Sequence, residues 1–194
     1  MEPETERDHW RDMLKKPTKT TDNAEEHRLI VISIISKYGK EHSSSLRAMD
    51  QLAKVYWGED MRDDAIEVQR EALDWREEVD GPLDTFNLSS MDTLAFMYFE
   101  KGQYQEAEKV LLQSMELREQ AAHCDSSRRF LAKILLQKTY EKQDKKNDAL
   151  RALWEILETL SNAAGMEGKR EDALGNIWVL LKSLSRATGA QFTL

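Results

Sequence analysis

Apolar residues recur along most of this chain at helical spacing. Leu88, Met91, Leu94, Ala95 and Tyr98 recur at spacings of three and four residues, and Ala107, Val110, Leu111, Ser114, Met115 and Leu117 form a second such stripe. Side chains at these intervals share one face of an α-helix. The pattern predicts paired helices over residues 42–57 and 61–79, 85–100 and 104–120, and 126–142 and 145–162. The breaks between them carry turn chemistry. Pro82 follows Gly81, Pro17 lies in KKPTKTTDN, and Gly102 sits where a helix C-terminal glycine belongs.

The stripes repeat at an offset of 42 residues. Sliding 45–78 onto 87–120 gives ten identities in 34 positions: Leu46 meets Leu88, Met49 Met91, Asp50 Asp92, Leu52 Leu94, Ala53 Ala95 and Tyr56 Tyr98. Ala65 meets Ala107, Val68 Val110, Arg76 Arg118 and Glu77 Glu119. A second shift carries Leu88 to Phe130, Leu94 to Leu136, Tyr98 to Tyr140, Ala107 to Ala149 and Met115 to Leu157. That third unit is degraded, since Met91 falls on Lys133 and Ala95 on Gln137. Self-similarity at a fixed period of this size marks stacked helical repeats, each covering its neighbour's apolar face.

The ends read as partial units. A shortened helix is expected over 4–15, with Trp10 and Leu14 inward, and a second over 22–38, with Asp22 and Glu25 as a capping box. The run Leu29–Ile35, LIVISII, has the β-branched composition of a strand. It is assigned to helix because no second strand is available to satisfy its backbone groups. Leu174, Ile177, Trp178, Leu181 and Leu184 predict a terminal capping helix over 172–187.

The spacing L-A-x-x-Y, then a polar turn, then [D/E]-A, occurs at 52–65 and again at 94–107, and resembles the tetratricopeptide repeat. The 42-residue period, longer than the common 34, is similar to the kinesin light chain class, as are GKEHSSSLRAMDQLAKVY and GPLDTFNLSSMDTLAFMY. Gln51 and Thr93 stand where that class places asparagine. The resemblance implies an all-α, right-handed superhelical solenoid. It would form one domain over 1–194: a partial unit 1–38, repeats 39–80, 81–122 and 123–165, and a cap and tail over 166–194.

The resemblance also implies a groove lined by the first helix of each pair. Its residues would be Arg47, Asp50, Lys54 and Trp57 in the first repeat and Ser89, Asp92, Phe96 and Phe99 in the second. The third repeat adds Leu131, Ile134, Lys138 and Glu141. Trp57, Phe96 and Phe99 would anchor a partner peptide or helix, and Asp50 and Asp92 would meet basic residues or backbone amides. Against this stands the plainer alternative that these aromatics pack on neighbouring helices or the C-terminal cap. Asp50 and Asp92 also oppose the terminal-carboxylate clamp of the chaperone-tail subclass.

The charge of −8 over 194 residues disfavours a phosphate-binding surface, and with it nucleic acid. The single Cys124 cannot form an internal disulfide, and the acidic N-terminus lacks an apolar signal core, so a cytoplasmic location is expected, with the nucleus open. The start at Met1 and the cap-like last helix favour a complete chain. Leu29–Ile35 is too short to span a membrane.

Little points to chemistry. His9, His27, His42 and His123 include no i, i+4 pair, and no metal, cofactor or nucleotide motif occurs. Cys124 beside His123 is read as a loop thiol, and Ser43–Ser45 as a helix N-cap. The chain is therefore expected to be a non-catalytic adaptor for a protein or peptide. The alternatives are a self-associating structural subunit, joined through its terminal faces near Trp10–Leu14 and Trp178–Leu184, or the regulatory subunit of an enzyme.

Overall fold

The structure, a computed structural model, describes residues 21–121 and 126–161, with isolated helical positions between 171 and 182. The helices are α1 (Asp22–Tyr38), α2 (Ser43–Gly58), α3 (Arg62–Asp80), α4 (Thr85–Glu100), α5 (Tyr104–Gln120), α6 (Ser126–Lys142) and α7 (Lys146–Ser161). No strand occurs among the described residues. The chain divides into two compact units, Met1–Met97 and Tyr98–Leu194.

In the first unit α1 packs on α2, and α2 on α3. Leu46, Met49, Leu52, Ala53 and Tyr56 of α2 are buried, as are Ala65, Val68, Ala72 and Trp75 of α3. Ala53 and Ala65 have no exposed surface at all, as expected of small residues where two helix backbones approach. The LIVISII segment is helical, with Val31 and Ile35 buried and Leu29 and Ile30 exposed. In the second unit α5 packs on α6, and α6 on α7. Leu136, Gln137 and Tyr140 pack beneath the surface with Ala149, Leu153 and Ile156. Lys133, at the place of Met91, is half-buried and pairs with Glu155 at 3.0 Å.

The turns repeat more closely than the sequence does. Inside each pair the chain reverses at a left-handed residue: Asp60 (φ 61), Gly102 (φ 81) and Asp144 (φ 58). In each, the next residue's N–H reaches back to a tyrosine carbonyl at 2.9 Å, Met61 to Tyr56, Gln103 to Tyr98 and Lys145 to Tyr140. This is the long bond of a Schellman helix ending. Between pairs, Gly39 (φ 86, ψ 163) and Gly81 (φ 84, ψ 165) adopt one conformation, in a region essentially confined to glycine. Ser45 Oγ donates to the Gly39 carbonyl at 2.6 Å, and Asn87 Nδ2, 42 residues later, donates to the Pro82 carbonyl at 3.1 Å.

Two expected caps are corrected. Helix α1 is capped by Thr21, whose hydroxyl accepts from the Ala24 N–H at 3.2 Å, so Asp22 already lies inside the helix. Glu25 forms no capping box and instead binds Arg28, its Oε1 lying 2.7 Å from Nη2. Helix α2 is capped by His42, whose Nδ1 accepts from the Ser44 N–H at 3.1 Å. Ser43, Ser44 and Ser45 already lie inside the helix. At the matching place before α4, Asp84 Oδ1 accepts from the Phe86 and Asn87 N–H groups at 2.7 and 3.2 Å. The expected helix 4–15, Cys124 with His123, and Ile177, Trp178, Leu181 and Leu184 lie outside the described residues; Leu174 is helical and exposed.

Candidate partner-binding cleft

Helices α2, α3 and α4 of the first unit enclose an open cleft of about 340 Å³. Its α2 wall carries Ser43, Arg47, Asp50, Gln51 and Lys54, a stripe three and four residues apart that starts from the His42 cap. Ser89, Ser90, Thr93 and Phe86 come from α4, and Gln69, Arg76 and Asp80 from α3. Four expected groove positions, Arg47, Asp50, Lys54 and Ser89, thus share one concavity.

The floor is an ion-paired network. Arg76, its side chain 5% exposed, grips Asp50 at 2.8 Å through Nη2 and 3.4 Å through Nη1, and Nη1 also donates to Ser90 Oγ. Gln69 Nε2 donates to Asp50 Oδ1 at 3.1 Å. The resemblance implies that Asp50 meets basic residues or backbone amides of a partner. The fold instead commits its carboxylate to α3, because a buried guanidinium needs a carboxylate partner. At the rim stand Arg47 and Lys54, both exposed and without an ion-pair partner among the described residues.

The remaining expected residues fall elsewhere. Trp57 is half-buried, with the Arg62 guanidinium 4.2 Å above its ring, a cation–π contact. Asp92 is half-buried, and Phe96 is 46% exposed at the outer surface of α4. None of these three lines the cleft. In the second unit the Phe99 ring meets Tyr104 edge-on at 5.6 Å. Leu131, Lys138 and Glu141 are exposed on α6, and Ile134 is half-buried.

Gln69, Arg76 and Phe86 were not singled out from the sequence. A signal existed for Arg76, which with Asp50 recurs as Arg118 and Asp92. Gln69 also had one, since its counterparts 42 and 84 residues on are Leu111 and Leu153. Among the described residues no cluster of His, Cys, Asp and Glu could hold a metal ion, and no helix is long and apolar enough to cross a membrane.

Residues 46–120 match the family model of the tetratricopeptide repeat. Among solved structures, the chain is similar to the nearly identical TPR-like repeats of a Podosopora anserina protein described as a kinesin light chain. Identity is 17% and the TM-score 0.67, over 86% of this chain and 87% of that one. A second crystal structure of those repeats aligns at 18% identity and a TM-score of 0.64, over 86% and 88%. BtubC (BKLC) from P. vanneervenii aligns at 17% identity and a TM-score of 0.67, over 81% of this chain and 60% of that one. No curated protein matches the chain significantly.

Proposed function

Because residues 46–120 match the tetratricopeptide repeat and the fold is similar to that of kinesin light chain-like repeats, we propose that this chain is a non-catalytic adaptor that receives a peptide or helix of a partner protein in the α2–α3–α4 cleft. The observation that carries this reading is the cleft itself: an open concavity of about 340 Å³ whose α2 wall presents Arg47 and Lys54 to solvent over an internally neutralised floor. Arg47 and Lys54 lie seven residues apart, about 10 Å along the helix. They would hold a partner's polar groups at two points, while Phe86, 66% exposed at the mouth, supplies apolar contact. Aromatic and arginine side chains dominate such contacts when a partner desolvates them. Phe96 and, in the second unit, the exposed face of α6 would extend the contact surface of each unit. The compartment proposed is the cytoplasm.

The test is affinity capture followed by mass spectrometry, comparing the wild type with an Arg47→Glu, Lys54→Glu, Phe86→Ser variant. All three residues are exposed, and circular dichroism checks that the variant is folded. A partner lost only from the variant supports the cleft. A partner kept by both moves recognition to another face, and a Trp57→Ala, Phe96→Ala variant then tests the remaining groove positions of the first unit.

A further inference from the structure

Gln69 is the one polar residue in a position that the fold otherwise fills with leucine. Leu111 and Leu153 occupy it in the next two repeats, at 0% and 2% exposure. Gln69 is as deeply placed, at 1%. Packing therefore does not call for an amide there. The amide also carries an energetic burden: Oε1 is buried and accepts no hydrogen bond, so its desolvation goes uncompensated. Its orientation is fixed by its neighbour, since turning Oε1 toward the Asp50 carboxylate would set two acceptors against each other. The unpaired acceptor belongs to a residue that lines the cleft.

The rest of the floor defines what could satisfy it. Both Asp50 oxygens accept from Arg76, and Oδ1 also from Gln69. Ser90 Oγ accepts from Arg76, which leaves its own proton to donate. The floor thus offers an unpaired amide acceptor at Gln69 and a hydroxyl donor at Ser90, with the Asp50 and Arg76 charges cancelling. An ammonium would meet the adjacent guanidinium, and a carboxylate would meet an acceptor. A neutral amide has the matching pair, an N–H to give and a carbonyl to receive.

From this we infer that Gln69 marks a subsite for an amide group of the bound partner, whose N–H donates to Gln69 Oε1 while Ser90 donates to its carbonyl. The inference rests on the proposed use of the cleft. The amide is either a side-chain carboxamide or a backbone peptide group. Gln69 is then a specificity residue, and the two leucine-bearing repeats lack the subsite.

The experiment uses the ¹⁵N-labelled full chain and four small probes: acetamide, N-methylacetamide, acetate and methylammonium. Chemical shifts are followed at the Gln69 side-chain amide and at the backbone of Asp50, Gln69 and Ser90. A saturable shift is expected with a neutral amide, at least tenfold weaker in Gln69→Leu, whose melting temperature should equal or exceed the wild type. Tighter acetamide binding identifies a side-chain carboxamide, and tighter N-methylacetamide binding a backbone group; both support the subsite. If Gln69→Leu fails to fold, Gln69→Met repeats the comparison, and failure of both would show that Gln69 merely supports Asp50 and overturn the inference. It is also overturned by the absence of a saturable amide shift, by equal shifts from acetate or methylammonium, or by shifts that persist in the leucine variant. No partner is needed for this titration. Amide binding without any partner on capture sinks the adaptor reading alone, and a captured partner without amide binding sinks the subsite alone.

Discussion

Asp50 and Arg76 tie α2 to α3 through a two-pronged ion pair, with Nη2 and Oδ2 2.8 Å apart and the arginine almost wholly buried. Arg76→Met leaves the Asp50 carboxylate facing only Gln69. We expect it to lower unfolding free energy by about 2–4 kcal/mol, short of the largest values for fully buried pairs because Asp50 keeps 23% of its surface. Arg47→Met, a change of the same kind at the exposed rim, should cost less than about 0.5 kcal/mol. Urea denaturation of both variants measures the difference, and equal losses would refute a structural role for the pair.

The helix-entry residues give a prediction of opposite signs. His42→Ala removes the acceptor for Ser44 N–H and Asp84→Ala the acceptor for Phe86 and Asn87 N–H. Each should cost about 1 kcal/mol. His42→Asp should instead gain a few tenths of a kcal/mol, since a carboxylate also suits the positive end of the helix. Thermal melts at neutral pH distinguish the three.

Replacing residues among the three inner turns should be asymmetric. Asp60→Gly and Asp144→Gly relieve a side chain held at positive φ and should stabilise by up to about 1 kcal/mol. Gly102→Ala places a Cβ at φ 81 and should destabilise by about 1 kcal/mol, although no atom lies within 4 Å of the added carbon. A loss in both directions would mean that the aspartates matter for something beyond backbone conformation.

Burial pushes the Tyr56 hydroxyl up to about 12, and the nearby Arg28 only partly opposes this. The unfolded chain releases that proton near its ordinary value of about 10. Between about 10 and 12 the folded state therefore holds more protons, and stability falls as pH rises. The loss from this residue is on the order of 2 kcal/mol. Tyr56→Phe keeps the ring and should flatten the decline measured by urea unfolding from pH 9 to 12.

Helix content was legible because apolar spacing survives substitution: α1, α4, α5 and α6 begin and end where the stripes and turn residues put them. Even LIVISII became helix, since composition yields to the absence of a strand partner. The caps were less legible. Thr21 and His42 each precede a more conventional candidate by one position, and only geometry decides which side chain reaches the exposed N–H groups. The cleft was half legible. Arg47, Asp50, Lys54 and Ser89, which the family resemblance implied for a groove, lie around one concavity, but no pattern along one helix can reveal that Arg76 on another has claimed Asp50. Nor does it tell that Trp57 lies under Arg62.

The tyrosine-to-turn bonds at Met61, Gln103 and Lys145 join residues five apart, so each reversal is closed by atoms that were never far from one another. A chain built this way has little entropy to lose in bringing distant segments together. Folding can begin at any of the three reversals and spread to its neighbours. Damage at one should stay local, loosening one hairpin of helices before it reaches the next.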